Sequence, residues 1–203
     1  GRDLFKATNY LTPVVWEAIN EVILGAKKIM KFLKEVSRLV ASENLPVCWT
    51  TPSPLNFPVQ MMCYKKESKR VKTKMGDSII KLSIQSDTDE IDKRKTAQSI
   101  CPNLIHSLDA SCLMLAVIKA KDKGVTNFSL IHDSFGCVAP DVHKLSEAIR
   151  EAFCEVYEQD VLTNWAMEMK QMLSDKNAKK FPHIPERGNL DLSLVKQSIF
   201  FCV

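Results

Sequence analysis

Apolar residues recur at three-to-four spacing from Val15 through Ile19, Val22/Ile23, Ala26, Ile29/Met30, Leu33, Val36 and Val40. That period predicts one long amphipathic helix over roughly 13–42, with the Thr12 hydroxyl as its cap and Pro13 at the first helical position. The pattern then breaks. LPVCWTTPSPLNFPVQ, residues 45–60, holds four of the nine prolines and is expected as an extended, turning connection. Two strand-compatible arms follow around Met75-Gly76-Asp77-Ser78, the second alternating Ile80, Leu82 and Ile84, and predict a hairpin over about 64–86. After an acidic patch at 87–92, helical spacing returns in SICPNLIHSLDASCLMLAVIKAKDKG, with Leu104/Ile105, Leu108, Cys112, Leu115 and Ile118 on one face. Lys119, Lys121 and Lys123 ahead of Gly124 give that helix a cationic last turn and a glycine stop.

NFSLIHDSFGCV, residues 127–138, reads as two short buried strands interrupted only by the ionisable pair His132-Asp133, with Gly136 allowing close backbone packing. Pro140-Asp141 opens another helix, carrying Val142, Leu145, Ile149, Phe153 and Tyr157 at helical spacing, and a further helical piece holds Val161, Leu162, Trp165, Met169 and Met172. The tail is broken by prolines. The class expected is α+β, with the helices at 103–123 and 141–159 bracketing the His-Asp strands.

A chain of 203 residues with 45% hydrophobic content can bury a real core. The net charge of +4 permits a nucleic-acid partner without demanding one. Seven cysteines form no C-x-x-C pair and sit mostly in apolar runs, which favours free thiols in a reducing compartment and suggests no zinc site. No run of transmembrane length and no signal-peptide core is expected, so no membrane partner is either. The chain also lacks an initiator Met, and is expected to be a piece of something longer.

Charge is concentrated. Lys65, Lys66, Lys69, Arg70, Lys72, Lys74 and Lys81 crowd the hairpin against Glu67 and Asp77. Two readings fit: an exposed edge protected by lysines, or a protruding strand pair that follows phosphates. His106 and Asp109 are i,i+3 neighbours on the following helix, a spacing that by itself favours a structural histidine. Asp133 at a strand-turn-strand tip is placed either as a simple turn residue or as a ligand for a divalent cation. Mg²⁺ takes few carboxylates and fills its other positions with water and phosphate, so one Asp here and one from elsewhere would suit two-metal nucleotidyl transfer.

PNLIHSLDAS at 102–111, followed by LIHDSFG at 130–136, closely resembles the single-subunit, bacteriophage-type DNA-directed RNA polymerases, which include the mitochondrial enzymes. The resemblance is collinear over nearly the whole chain. WTTPSPLNFPV at 49–59 is similar to the Trp-x-Thr-Pro segment that precedes the family's specificity hairpin, and ERGNLDLSLVKQSIFFCV is similar to its C-terminal segment.

That resemblance implies a right-hand polymerase fold, with residues 1–106 in the distal fingers region and 107–203 in the palm portion. Asp133 matches the second metal-binding palm aspartate, with His132 and Ser134 completing its motif. Asn103 and His106, in Pro-Asn-x-x-His-Ser, match nucleic-acid-binding positions, His106 being the histidine beside the growing end. The basic hairpin, with Lys65, Lys66, Lys69, Arg70, Lys72 and Lys74, takes the place of the specificity loop. Phe200, Phe201 and Val203 take the place of the C-terminal foot. The implied cofactor is Mg²⁺ and the implied partners are DNA template, RNA product and NTPs, in a mitochondrial matrix or a phage-infected bacterial cytoplasm.

The first palm aspartate and the fingers helix with its Tyr-Gly have no match in this sequence. Polymerisation is therefore expected only with a second chain or a longer polypeptide that supplies them. A non-catalytic nucleic-acid-binding or structural descendant is the alternative. Ser134 and the HSLD block favour an RNA polymerase over the related DNA polymerases, which read His-Asp-Glu.

Overall fold

A computed structural model describes residues 2–198. Helix α1, Arg2–Val22, and helix α2, Leu24–Ser42, replace the single helix expected over 13–42. The start lies earlier because Pro13 sits inside α1, and the Thr12 hydroxyl donates back to the Thr8 carbonyl (2.7 Å) where a cap was expected. The break is one residue wide, at Ile23, where a β-branched pair and then Gly25 weaken helix preference.

The proline-rich connection is itself a hairpin of β1, Val47–Thr50, and β2, Pro58–Met61. Next comes a long antiparallel pair, β3, Tyr64–Met75, and β4, Ser78–Ile91, closing at the expected turn with Gly76 at φ +61. The acidic patch is not separate from it. Asp87 lies opposite Lys66 and Glu90 pairs with Lys65, so opposite charges across the strands carry the ladder to Ile91, beyond the expected end at 86. The base is fastened to the body: Ile91 N–H donates to the Asn44 side-chain oxygen (2.8 Å), and Asp92 N–H to the Cys63 carbonyl (2.7 Å).

Asp92 then caps α3, Lys93–Asp122, accepting from the backbone N–H of Arg94 and Lys95, so this helix also begins before the expected residue 99. Its end matches expectation. Gly124, at φ +88, donates to the Lys121 carbonyl and Val125 to the Ala120 carbonyl, a Schellman stop. By length and composition alone α3 is apolar enough to cross a membrane, against the expectation that no segment would be; in the structure its Leu104, Leu108 and Leu115 are buried, while Ile105 and Ile118 are exposed.

The hairpin β5, Phe128–Ile131, and β6, Ser134–Cys137, is followed by a short 3₁₀ turn and by α4, Val142–Glu158, and α5, Val161–Met172. Two short helices, α6, Asp175–Ala178, and α7, Ser193–Gln197, lie in the tail. The class is α+β, with three separate two-stranded sheets among the described residues.

The largest core joins Phe32, Leu33, Val36 and Val40 of α2 to Trp49, Ile100, Leu104, Trp165 and Met169. The second half of α3 packs along α4 through Leu115, Ala116, Ala120, Ala148, Ala152 and Val156. Small residues there let the two helices approach closely. The six described cysteines are all free.

Candidate active site

The sequence places His132-Asp133 between two four-residue strands, and the ladder closes with Ile131 opposite Ser134. A two-residue hairpin turn of this kind calls for positive φ, and His132 adopts +53. For a residue with a Cβ this conformation costs about 1–2 kcal/mol. The Asp133 side chain is thereby held at an exposed tip.

One face of the hairpin, Phe128, Phe135 and Cys137, packs on the α3–α4 seam. The opposite face carries Ser129, Ile131, Ser134 and Gly136, and Ile131 is 69% exposed. This corrects the expectation of strands buried between bracketing helices. The helices pack against each other, and the strands lie across their junction with one side open. Glycine at 136 eases the pairing of the two strands, since a Cβ there would stand 3.3 Å from the carbonyl oxygen of its cross-strand partner Ser129, a tight contact.

Asp133 and His132 face an open cleft of ≈ 900 Å³ whose other walls come from α3 (Ile105, His106, Asp109, Cys112) and α4 (Ile149, Phe153, Tyr157). His106 and Asp133, from separate sequence blocks, thus line one cavity. None of His106, Asp109, His132 and Asp133 makes a side-chain hydrogen bond or ion pair among the described residues. Four polar groups are left for solvent or a ligand.

The α3 wall is anchored from behind. Trp49 Nε1–H donates to Ser107 Oγ (3.0 Å), Ser107 Oγ–H to the Leu104 carbonyl, and Ser111 Oγ–H to the Ser107 carbonyl. The Trp-x-Thr-Pro segment therefore fixes the helical turn that presents His106. The α4 wall is fixed at its end, where the Arg187 guanidinium donates to the Tyr157 and Glu158 carbonyls. Phe153 and Tyr157 are in contact, 4.5 Å between ring centroids with their planes tilted by 44°.

Burial, and next the charge of Asp109, push the Cys112 thiol up to about 11. The Tyr157 phenol is also raised, by burial first and then by Cys112 and Asp109. Both therefore present neutral groups to the cleft near neutral pH.

The other sequence candidates lie elsewhere. Asn103 donates its amide to the Ser99 carbonyl (2.8 Å), away from the cleft. Ser134 follows Asp133 on the open face of the hairpin. Lys66, Arg70, Lys72 and Lys74 share one face of the long hairpin and Lys69 the other, while Lys65 is paired with Glu90 at the base. Phe200, Phe201 and Val203 fall outside the described residues. Asp109, Cys112, Phe153 and Tyr157 were not singled out as site residues. Only Asp109 left a local trace, its spacing from His106, since the approach of α4 cannot be read from neighbouring residues.

No group of three His, Cys, Asp or Glu residues that would hold a metal occurs among the described residues. An all-protein cage is therefore not built here. Asp133, exposed and unpaired, fits the one- or two-carboxylate ligation typical of Mg²⁺.

Residues 1–180 match the DNA-dependent RNA polymerase family. The chain is 38% identical over 200 residues to DNA-directed RNA polymerase 2, chloroplastic/mitochondrial, of Arabidopsis thaliana, covering 98% of this chain and 19% of that protein. It is 34% identical over 199 residues to DNA-directed RNA polymerase 1, mitochondrial, of Nicotiana sylvestris, again with 98% and 19% covered. Against DNA-directed RNA polymerase 2A of Nicotiana tabacum it is 35% identical over 199 residues, 98% of this chain and 57% of that one. The chain thus spans about a fifth of the length of the first two relatives and just over half of the third. With a family match across most of its length and collinear relatives along nearly all of it, the chain belongs to the phage-type DNA-dependent RNA polymerases.

Proposed function

We propose that this chain is the part of a DNA-directed RNA polymerase that supplies one palm carboxylate, Asp133, for Mg²⁺-dependent transfer of nucleotides from NTPs to an RNA 3′ end on a DNA template. The observation that carries this reading is the shared cleft, where His106 and Asp133 meet with neither side chain bonded within the chain. In this reading the chain is part of a right-hand polymerase, residues 1–106 forming the distal fingers region and 107–203 the palm portion. Helix α3 runs across that division.

Asp133 holds an ion together with an aspartate from outside these residues. When bound, the ions lower the barrier by activating the 3′ hydroxyl and stabilising the leaving pyrophosphate. The chain's own residues position the reactants: His106 faces the strand end, and His132 and Ser134 set the backbone that presents Asp133.

The first palm aspartate and the nucleotide-gripping fingers helix come from a longer polypeptide or a second chain. The longer relatives favour the former. DNA template, RNA product and NTPs are the partners. A mitochondrial or plastid matrix is the compartment, by analogy with the relatives' names.

The test is extension of an RNA primer on a DNA template by the whole assembled polymerase. Asp133→Ala should remove extension entirely while leaving circular dichroism and melting unchanged. Extension that survives the substitution would overturn the assignment and leave a non-catalytic binding or structural role.

A further inference from the structure

The cleft contains a second carboxylate to which the proposed chemistry gives no task. Asp109 lies on α3 one turn beyond His106, so the two side chains are neighbours on one wall. It is half-buried, yet accepts no hydrogen bond and joins no ion pair among the described residues. Of the polar residues that share the cleft with it, neither the neighbouring His106 nor Cys112 nor Tyr157 makes a hydrogen bond or ion pair to it, and the latter two carry no positive charge. A half-buried carboxylate needs hydrogen-bond donors, and since no protein group among the described residues donates to this one, it is free to accept from a ligand that enters the cleft.

A nucleic-acid strand offers few. Its phosphates are anions with no proton to give. Base edges present donors that change with sequence, whereas a polymerase must extend every sequence alike. The donor present on each residue of an RNA strand, and missing from DNA, is the ribose 2′-hydroxyl. Resting on the polymerase reading of this cleft, we propose that Asp109 accepts a hydrogen bond from a 2′-hydroxyl of the RNA strand beside the growing end, and so selects RNA over DNA as the strand to be extended. Asp133 serves the chemistry and Asp109 serves strand identity. The two carboxylates reach the same cavity from different elements, Asp109 from α3 and Asp133 from the β5–β6 turn.

The experiment compares extension efficiency on matched scaffolds, one with an RNA primer and one with a DNA primer of the same sequence, using the assembled polymerase. The readout is the ratio of the two efficiencies, which is independent of how much of a preparation is folded. Asp109→Ala should lower the RNA-to-DNA ratio by about tenfold, the worth of one charge-assisted hydrogen bond. Asp109→Asn, which keeps one acceptor oxygen and the same shape, should lower it less. A ratio unchanged in both variants overturns the inference, whether both efficiencies fall together, as for a carboxylate acting on metal-bound water, or neither moves. Asp133→Ala in the same assay separates this outcome from failure of the underlying reading, since that variant must lose extension on both primers.

Discussion

The two hairpins that carry the charged sequence motifs are built in opposite ways. The long one, β3–β4, makes no extensive contact with another element among the described residues and is held at its base by Asn44 and Cys63. Its strand register sorts it into two faces. Lys66, Arg70, Lys72 and Lys74, with Lys81 opposite Lys72, make one cationic; Val71, Ile80, Leu82 and Ile84 make most of the other apolar, with Lys69 opposite Ile84. The short one, β5–β6, has only four residues per strand, but Phe135 reaches both apolar clusters of the α3–α4 seam. The difference separates two jobs. A residue that must be placed to a fraction of an ångström belongs on an element fixed by packing, whereas a surface that must follow an extended polyanion gains from reach and charge. Lysines directly opposite each other weaken a ladder, a cost that an anionic partner would relieve.

The largest effect should come from loosening the short hairpin. Phe135→Ala removes the ring that ties β6 to both helices, and for a half-buried aromatic the loss is about 2–3 kcal/mol. Asp133 would then lose its fixed position, and extension by the assembled polymerase should fall at least a hundredfold even at temperatures where the variant is folded. Melting curves and extension rates on one preparation check both. Near-normal extension by a destabilised variant would break the claim that packing is what positions the tip.

A smaller effect, of a different kind, is expected on the long hairpin. Changing Lys66, Arg70, Lys72 and Lys74 together to Gln keeps the ladder and removes the cationic face. Melting should be unaffected. Affinity for duplex DNA should drop, and the slope of log affinity against log salt should shrink by roughly 0.9 for each phosphate that is no longer neutralised. An unchanged salt slope would mean that these side chains are only a solvated edge.

How much of this could be read from the chain differs between the same two regions. The Met75–Ser78 turn and the Gly124 helix stop were legible because glycine answers a local backbone need, and both show positive φ. The end of β4 was not. Asp87 and Glu90 read as an acidic patch until cross-strand pairing set them against Lys66 and Lys65. Thr12-Pro13 looked like a helix start, but the chain continues helical through it and the Thr12 hydroxyl bonds backwards. At the site, Asp133 stood out as the charged interruption of an apolar run, while the roles expected of it and of His106 came from family resemblance. Tyr157 and Phe153 were invisible, because their place in the cleft depends on how α4 crosses α3.

The smallest expected effect probes the clamp of the long hairpin. The side-chain hydrogen bond and charge of Lys65 hold the Glu90 carboxyl below its usual range, and Lys93 adds to this; Glu90 in turn raises the Lys65 ammonium. For a carboxyl lowered in the folded state, the stabilising contribution is full above its unfolded pKa and disappears as pH falls through the folded value. Acidification through and below the normal carboxylate range should therefore loosen the hairpin base; the α3–α4 seam also loses its Lys119–Glu155 and Lys123–Glu147/Glu151 pairs, but keeps the apolar contacts that the hairpin base lacks. Both charges are exposed, so solvent keeps the effect slight. Backbone amide shifts of Lys65 and Thr88, whose groups meet in the Thr88 Oγ1–H to Lys65 carbonyl bond, report it directly. In Glu90→Gln this acid-dependent change should be absent, and a variant that titrates like the wild type would show that the base is held by Asn44 and Cys63 alone.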